Sequence, residues 1–224
     1  MSELQQPIGI FGGTFDPVHV GHLRTAHELR TGLDLAEVRF IPSRLPPHRP
    51  PTIAPEALRL RMLEAALDDQ PGFVVDGREL RRPGPSFMVD TLASLRQELP
   101  TRPLCLLLGM DAFFGLPAWH RWQDILTLAH IIVARRPGFS EQTDGEIGQL
   151  LRSRETTDSQ ALGTALAGCI LVREVTQLEI SSSAIRNLVA AGGDPRFLVP
   201  DAVLQLITKT HIYANPREVR TRAQ

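Results

Sequence analysis

Lysine is almost missing from this 224-residue chain: Lys209 is the only one among 24 basic residues. A side-chain cation at a functional site here is therefore an arginine or a histidine, and arginine suits forked contacts with phosphate oxygens. Cysteine is as scarce. Cys105 and Cys169 stand in separate apolar runs, which excludes the spacings of zinc or dithiol motifs and reads both as core residues. No run approaches the ~18 apolar residues of a membrane span, and Met1 to Gln6 lacks the apolar stretch of a secretion signal. The expectation is a soluble, cytoplasmic protein with no membrane partner. Bulk positive charge is also lacking, the net charge being -1, which argues against a nucleic-acid partner. Aromatic residues are only 5%, so the closely spaced Trp119 and Trp122 stand out. The length suffices for a sizeable core, and a single domain over residues 1–224 is expected, ordered from about 8 to 213 with a frayed basic tail over 214–224.

Two familiar phosphate motifs are absent as well: neither Gly-x-x-x-x-Gly-Lys-Ser/Thr nor Gly-x-Gly-x-x-Gly occurs. The stretch Gly12-Gly13-Thr14-Phe15-Asp16-Pro17-Val18-His19-Val20-Gly21-His22 stands in their place, after the apolar run Ile8–Phe11 and before a helical pattern over Leu23–Leu33. A strand, a glycine turn and a helix start in that order present free N–H groups and a positive dipole end to an anion. A metal site is the rival reading of His19 and His22, with His27 as a third ligand. At roughly 100° per residue His22 and His27 lie about 140° apart around a helix, too far to share one ion. A third reading leaves the two histidines as capping or packing residues.

Short apolar runs at Glu37–Pro42, Phe73–Asp76, Leu104–Leu108, Ile131–Ala134 and Cys169–Val175 read as strands, and helical patterns fall between them. This alternation predicts an α/β fold, a Rossmann-like doubly wound parallel sheet, with a small helical part at the C-terminal end from Asp201. The proline-dense stretch Ser43–Pro55 can be neither helix nor central strand. In the helix expected over Glu56–Asp68, Leu58, Met62, Leu63, Ala66 and Leu67 form the inward face and Arg59 and Arg61 are expected in solvent. Ser86 is the expected N-cap of a helix opening at Pro85–Leu92. Asp111, just past the most apolar strand, is a ribose-hydroxyl candidate, because open α/β sheets bind ligands at that end. Residues 140–168 are weakly periodic. At Ile180–Arg186 the serines Ser181, Ser182 and Ser183 and an arginine converge on another helix start.

Gly12 to His22 fits, at every fixed position, the signature of a nucleotidyltransferase superfamily that ends in His-x-Gly-His. Within it the chain resembles the bacterial nicotinate-nucleotide adenylyltransferase family, over nearly its whole length from Ile8 to about Tyr213. The resemblance implies transfer of the adenylyl group of ATP to nicotinate mononucleotide in NAD biosynthesis, with Mg²⁺ held mainly by ATP phosphates and by no protein side chain. It further implies that His22 and Arg186 carry transition-state charge and that His19 meets the ATP phosphates. Gly12, Gly13, Thr14, Phe15, Ser181, Ser182, Ser183 and Arg136 join that phosphate site. It places nicotinate mononucleotide against Ser86, Phe87, Met88, Asp111, Trp119, His48 and Arg49, with Trp119 stacked on the pyridine and Trp122 left as a buried packing residue. Two departures stand out, Met88 where most members of the family have threonine and Arg49 where lysine is usual. Another adenylyl- or cytidylyltransferase of the superfamily, for example one acting on phosphopantetheine, would keep both phosphate signatures, and so would a non-catalytic nucleotide sensor.

Overall fold

In the computed structural model, which describes residues 5–47, 50–136, 145–176 and 178–215, the short apolar runs become six parallel strands in one sheet. They are β1 (Ile8–Gly13), β2 (Glu37–Pro42), β3 (Phe73–Val75), β4 (Leu104–Gly109), β5 (His130–Arg135) and β6 (Ile170–Glu174). The helices are α1 (Val20–Gly32), α2 (Glu56–Leu67), α3 (Arg78–Arg81), α4 (Met88–Glu98), α5 (Met110–Phe114), α6 (Ile125–Leu128), α7 (Gly145–Arg154), α8 (Ala161–Thr164), α9 (Ser182–Ala190) and α10 (Asp201–Thr210). The strand order is β3-β2-β1-β4-β5-β6. Ile10 of β1 lies opposite Arg39 on one side and Leu106 on the other. Chain order reverses between β1 and β4, and a doubly wound sheet binds its ligands in the crevice outside the strand ends at that reversal. Gly13 and Gly109 close those two strands there.

Alternation along the strands divides the core into two layers. Leu104, Leu106 and Leu108 face one side with Ile8, Ile10, Leu92, Leu95 and Phe113, while Cys105 and Leu107 face the other with Leu29, Phe40, Met62 and Leu63. Each fully buried side chain of this size contributes about 1.5–3 kcal/mol relative to exposure. The C-terminal helix α10 belongs to the second layer, since Val203, Ile207 and Tyr213 are buried in it. Among the described residues no helix is long and apolar enough to cross a membrane.

Several local expectations are corrected. Helix α1 begins three residues before Leu23, because His19 caps it. Arg59 is not in solvent: it is wholly buried on the Met62–Leu63 face of α2. Trp122 is half-buried rather than buried, at the start of a short 3-10 turn. The weakly periodic stretch carries α7 and α8. Most of the expected tail lies outside the described residues.

Candidate active site

The signature turn leaves β1 at Gly13, passes through Phe15, which is buried in the left-handed region at φ 47°, and enters α1 at its N-cap, His19. The His19 N–H donates to Nδ1 of His22 at 3.3 Å. An acceptor Nδ1 places the proton of the neutral His22 ring on Nε2, so the imidazole is a donor through that nitrogen. The two rings stack at 3.6 Å, and the edges of Phe11 and Phe15 wall His22 at 6.1 and 5.2 Å. Burial lowers the pKa of His19 to about 4, and burial together with the neighbouring His19 holds His22 well below the ordinary value. Both rings are neutral at pH 7, so what they can offer a ligand is hydrogen bonding rather than charge. Nδ1 of His19 is buried without a hydrogen-bond partner among the described residues. Gly21 packs closely beside it, since a Cβ there would sit 3.0 Å from that atom and press on the His19 ring.

The second helix start, α9, is docked onto this turn. Ser182 Oγ donates to the Pro17 carbonyl at 2.9 Å, and Arg186 Nη1 donates to the Asp16 carbonyl at 2.8 Å. Ser181 is the N-cap, its Oγ accepting from the Ala184 N–H, and Ser183 Oγ accepts from Arg186 Nη2 at 3.1 Å. All three hydroxyls thus have partners inside the protein. Helix geometry leaves the Ser182 and Ser183 N–H groups without intrahelical acceptors, so an anion would be met by main-chain donors and by the remaining N–H groups of Arg186. Arg136, at the end of β5, pairs with Glu179 at 3.1 Å on the approach to α9.

The third helix start corrects an expectation. The N-cap of α4 is Phe87, not Ser86. Ser86 Oγ accepts from the N–H groups of Arg44 at 2.9 Å and Leu45 at 3.3 Å, and it also hydrogen-bonds to the buried Glu79. The hydroxyl therefore fastens the proline-dense loop to the helix start, and the donors left for a ligand are the first-turn main-chain N–H groups. Met88 closes the distance to the signature turn. Its Cε lies 2.5 Å from where a Cβ on Gly12 would stand, so a side chain at Gly12 would require the Met88 methyl to move. On the other side the Phe87 ring meets the His120 ring at 4.2 Å, which brings the segment carrying the half-buried Trp119 to the same helix start. Asp111 is exposed in the first turn of α5, directly beyond β4. His48 and Arg49 lie outside the described residues.

Three further residues, Arg59, Asp16 and Tyr213, hold the turn although the sequence reading gave none of them a role in the site. Arg59 Nη1 donates to the Thr14 carbonyl at 2.6 Å, and the buried Asp16 accepts from the Tyr213 hydroxyl at 2.6 Å. Arg59 was readable, since it shares a helical face with Met62, Leu63 and Ala66. The pair Asp16 and Tyr213, 197 positions apart, leaves no such periodic trace.

A family model, cytidylyltransferase-like, matches residues 10–188. A probable nicotinate-nucleotide adenylyltransferase of Methylococcus capsulatus is 51% identical over 92% of this chain and 99% of its own length. One of the same description from Aeromonas salmonicida is 46% identical over 94% and 98%. The fold matches that of the Plasmodium falciparum nicotinic acid mononucleotide adenylyltransferase, solved in complex with NaAD, at a TM-score of 0.71 and 15% identity over 93% of this chain and 98% of that one. With the signature turn in place and relatives matched end to end, the chain belongs to the nicotinate-nucleotide adenylyltransferase family, within the cytidylyltransferase-like proteins.

Proposed function

We propose that this chain is a cytoplasmic enzyme that transfers the adenylyl group of ATP to nicotinate mononucleotide, giving nicotinate adenine dinucleotide and pyrophosphate. The observation that carries it is the convergence of three helix starts around the carboxyl end of β1: α1 through His19, α9 through its bonds to Asp16 and Pro17, and α4 through Met88 over Gly12. Two of them suit the phosphates of ATP, and the third suits a carboxylate on the acceptor.

A 5′-phosphate oxygen of the mononucleotide attacks the α-phosphorus of ATP in line, and the bond from that phosphorus to the β-phosphate oxygen breaks as pyrophosphate departs. A phosphate monoester dianion is already nucleophilic, so no side chain removes a proton. Catalysis is then positioning and stabilisation of charge. His22, through Nε2–H, and Arg186 receive the charge that develops on the transferring group. His19 and the Gly12–Phe15 backbone hold the ATP phosphates, with the main chain of Ser181–Ser183. Arg136 joins them at the mouth. On the acceptor side, the main chain at Ser86–Met88 takes the carboxylate, Trp119 the pyridine face, Asp111 a ribose hydroxyl, and His48 with Arg49 the rim. Among the described residues no three His, Cys, Asp or Glu side chains gather as a metal site, and the proposal leaves Mg²⁺ to the phosphate oxygens, where, when bound, it would supply neutralisation of leaving-group charge.

The test is a pyrophosphate-release screen with ATP and a set of phosphomonoesters: nicotinate mononucleotide, nicotinamide mononucleotide and phosphopantetheine. Release with nicotinate mononucleotide above the others is expected. Preference for phosphopantetheine would move the chain to another branch, and ATP binding without release from any acceptor would make it a sensor.

A further inference from the structure

Beneath the signature turn lies a cluster of polar side chains centred on the buried Asp16 and Tyr213. Asp16, only 3% exposed, accepts at Oδ2 from the Ile53 N–H at 2.8 Å and at Oδ1 from the Ala54 N–H at 3.1 Å and the Tyr213 hydroxyl at 2.6 Å. Arg186 Nη1 lies 3.9 Å from Oδ2 while it donates to the carbonyl of the same residue at 2.8 Å. One aspartate therefore ties the phosphate turn to the proline-dense loop, to the α9 arginine and to the residues after α10. Arg59 supports the turn from the α2 side through Thr14.

Tyr213 is the chain's single tyrosine, buried and held in the left-handed region at φ 72°. A phenylalanine would fill the same apolar space. What the hydroxyl adds is one donor to Oδ1, which fixes the rotation of the carboxylate and so leaves Oδ2 turned toward Ile53 and Arg186. Leaving a buried carboxylate oxygen without one of its donors is costly, and the cation within reach of a turned carboxylate is Arg186, whose Nη1 lies 3.9 Å from Oδ2.

We propose that Asp16 and Tyr213 are positioning residues for adenylyl transfer: the Tyr213 hydroxyl orients the Asp16 carboxylate, which holds the Arg186 guanidinium in line with the α1 helix start. This rests on the assignment of Arg186 to the transferring phosphate. Neither residue touches substrate. Asp16→Ala would strip a buried hub and unfold the turn, so the informative substitution is Tyr213→Phe, which keeps the ring and removes only the hydroxyl.

Steady-state kinetics with ATP and nicotinate mononucleotide would be measured for Tyr213→Phe in the wild-type and Arg186→Ala backgrounds. Since small misplacements of a charge-stabilising group cost rate rather than binding, kcat falls about tenfold in the wild-type background while KM for ATP changes less than about twofold. In the Arg186→Ala background the same substitution changes kcat by less than about twofold, because its route is already cut. An equal fall in both backgrounds, or no fall in the first, overturns the proposal. A readout independent of turnover is the ¹⁵N–¹H resonance of Arg186 Nε, identified by its loss in Arg186→Lys. It shifts or broadens in Tyr213→Phe if the hydroxyl orients the guanidinium, and an unchanged resonance overturns the proposal even where the activity proves to be a different one.

Discussion

His19 and His22 are the residues on which physical chemistry is most specific. Stacked on each other and walled by two phenylalanines, they stay neutral through the physiological range, and the role proposed for His22 is that of an N–H donor to developing charge. His22→Ala should lower kcat by ~10²- to 10³-fold, the cost of losing one preorganised donor, with a much smaller change in ATP affinity. Unchanged kcat would remove His22 from the chemistry. The same burial predicts a stability profile. The folded pKa of His19, about 4, lies below the ordinary 6.5, so between these values the unfolded chain binds more protons. Stability from this group is full above pH 6.5, is lost as pH falls toward 4, and loses no more below it. A displacement of this size amounts to about 3 kcal/mol at most. Urea titrations of wild type and His19→Asn at pH 4 to 7 should show the smaller slope in the variant, and equal slopes would mean that His19 is not buried as described.

At the scale of the element, the question is which end of which helix meets which ligand. Main-chain N–H groups at the start of α4 suit a carboxylate, whereas a carboxamide turns donor hydrogens toward donors. Nicotinate mononucleotide should therefore be favoured over nicotinamide mononucleotide by at least ~10² in kcat/KM. Met88 refines this. Its methyl covers Gly12, so Met88→Thr both offers a hydroxyl and opens space over the phosphate turn. Little change in selectivity is expected, because the backbone donors remain. Equal wild-type values for the two substrates would sink the assignment of α4, and a large gain in Met88→Thr would transfer selectivity to the missing hydroxyl. These helix starts differ in how well the sequence foretold them. The α1 start is written in consecutive residues, Gly12 to His22, and α9 is nearly so. The α4 start was misplaced by one residue, because a serine before a helix reads as a cap. Ser86 instead spends its oxygen on Arg44 and Leu45, and that pairing exists only once the loop has folded back. Strand identity followed from apolar runs, whereas Arg59 was misread by weighing its charge above its place on the Met62–Leu63 face. The link from Asp16 to Tyr213 had no local sign at all.

For the whole molecule, one sheet carries both core layers, and the C-terminal helix is not an appendage. Val203 and Ile207 of α10 enter the same layer as Met62 and Leu63 of α2, and Tyr213 reaches back to Asp16. The proposed ATP site touches β1, α1 and α9, which belong to opposite ends of the chain. We therefore expect the chain to unfold as one cooperative unit, and ATP to stabilise all of it. At a hundredfold excess over its Kd a ligand that binds only the folded state adds about 2.7 kcal/mol. For a chain of this size each kcal/mol raises Tm by about 2–4 °C, so the expected upshift is roughly 5–10 °C. Calorimetry with and without ATP should show a single transition that moves as a whole. In Arg186→Ala the same ATP concentration should give a smaller upshift, because a partner of the triphosphate is gone. Two transitions, of which ATP moves only one, would mean that the C-terminal helix folds apart from the sheet, and the path from Tyr213 through Asp16 to Arg186 would then lack the rigid support it requires.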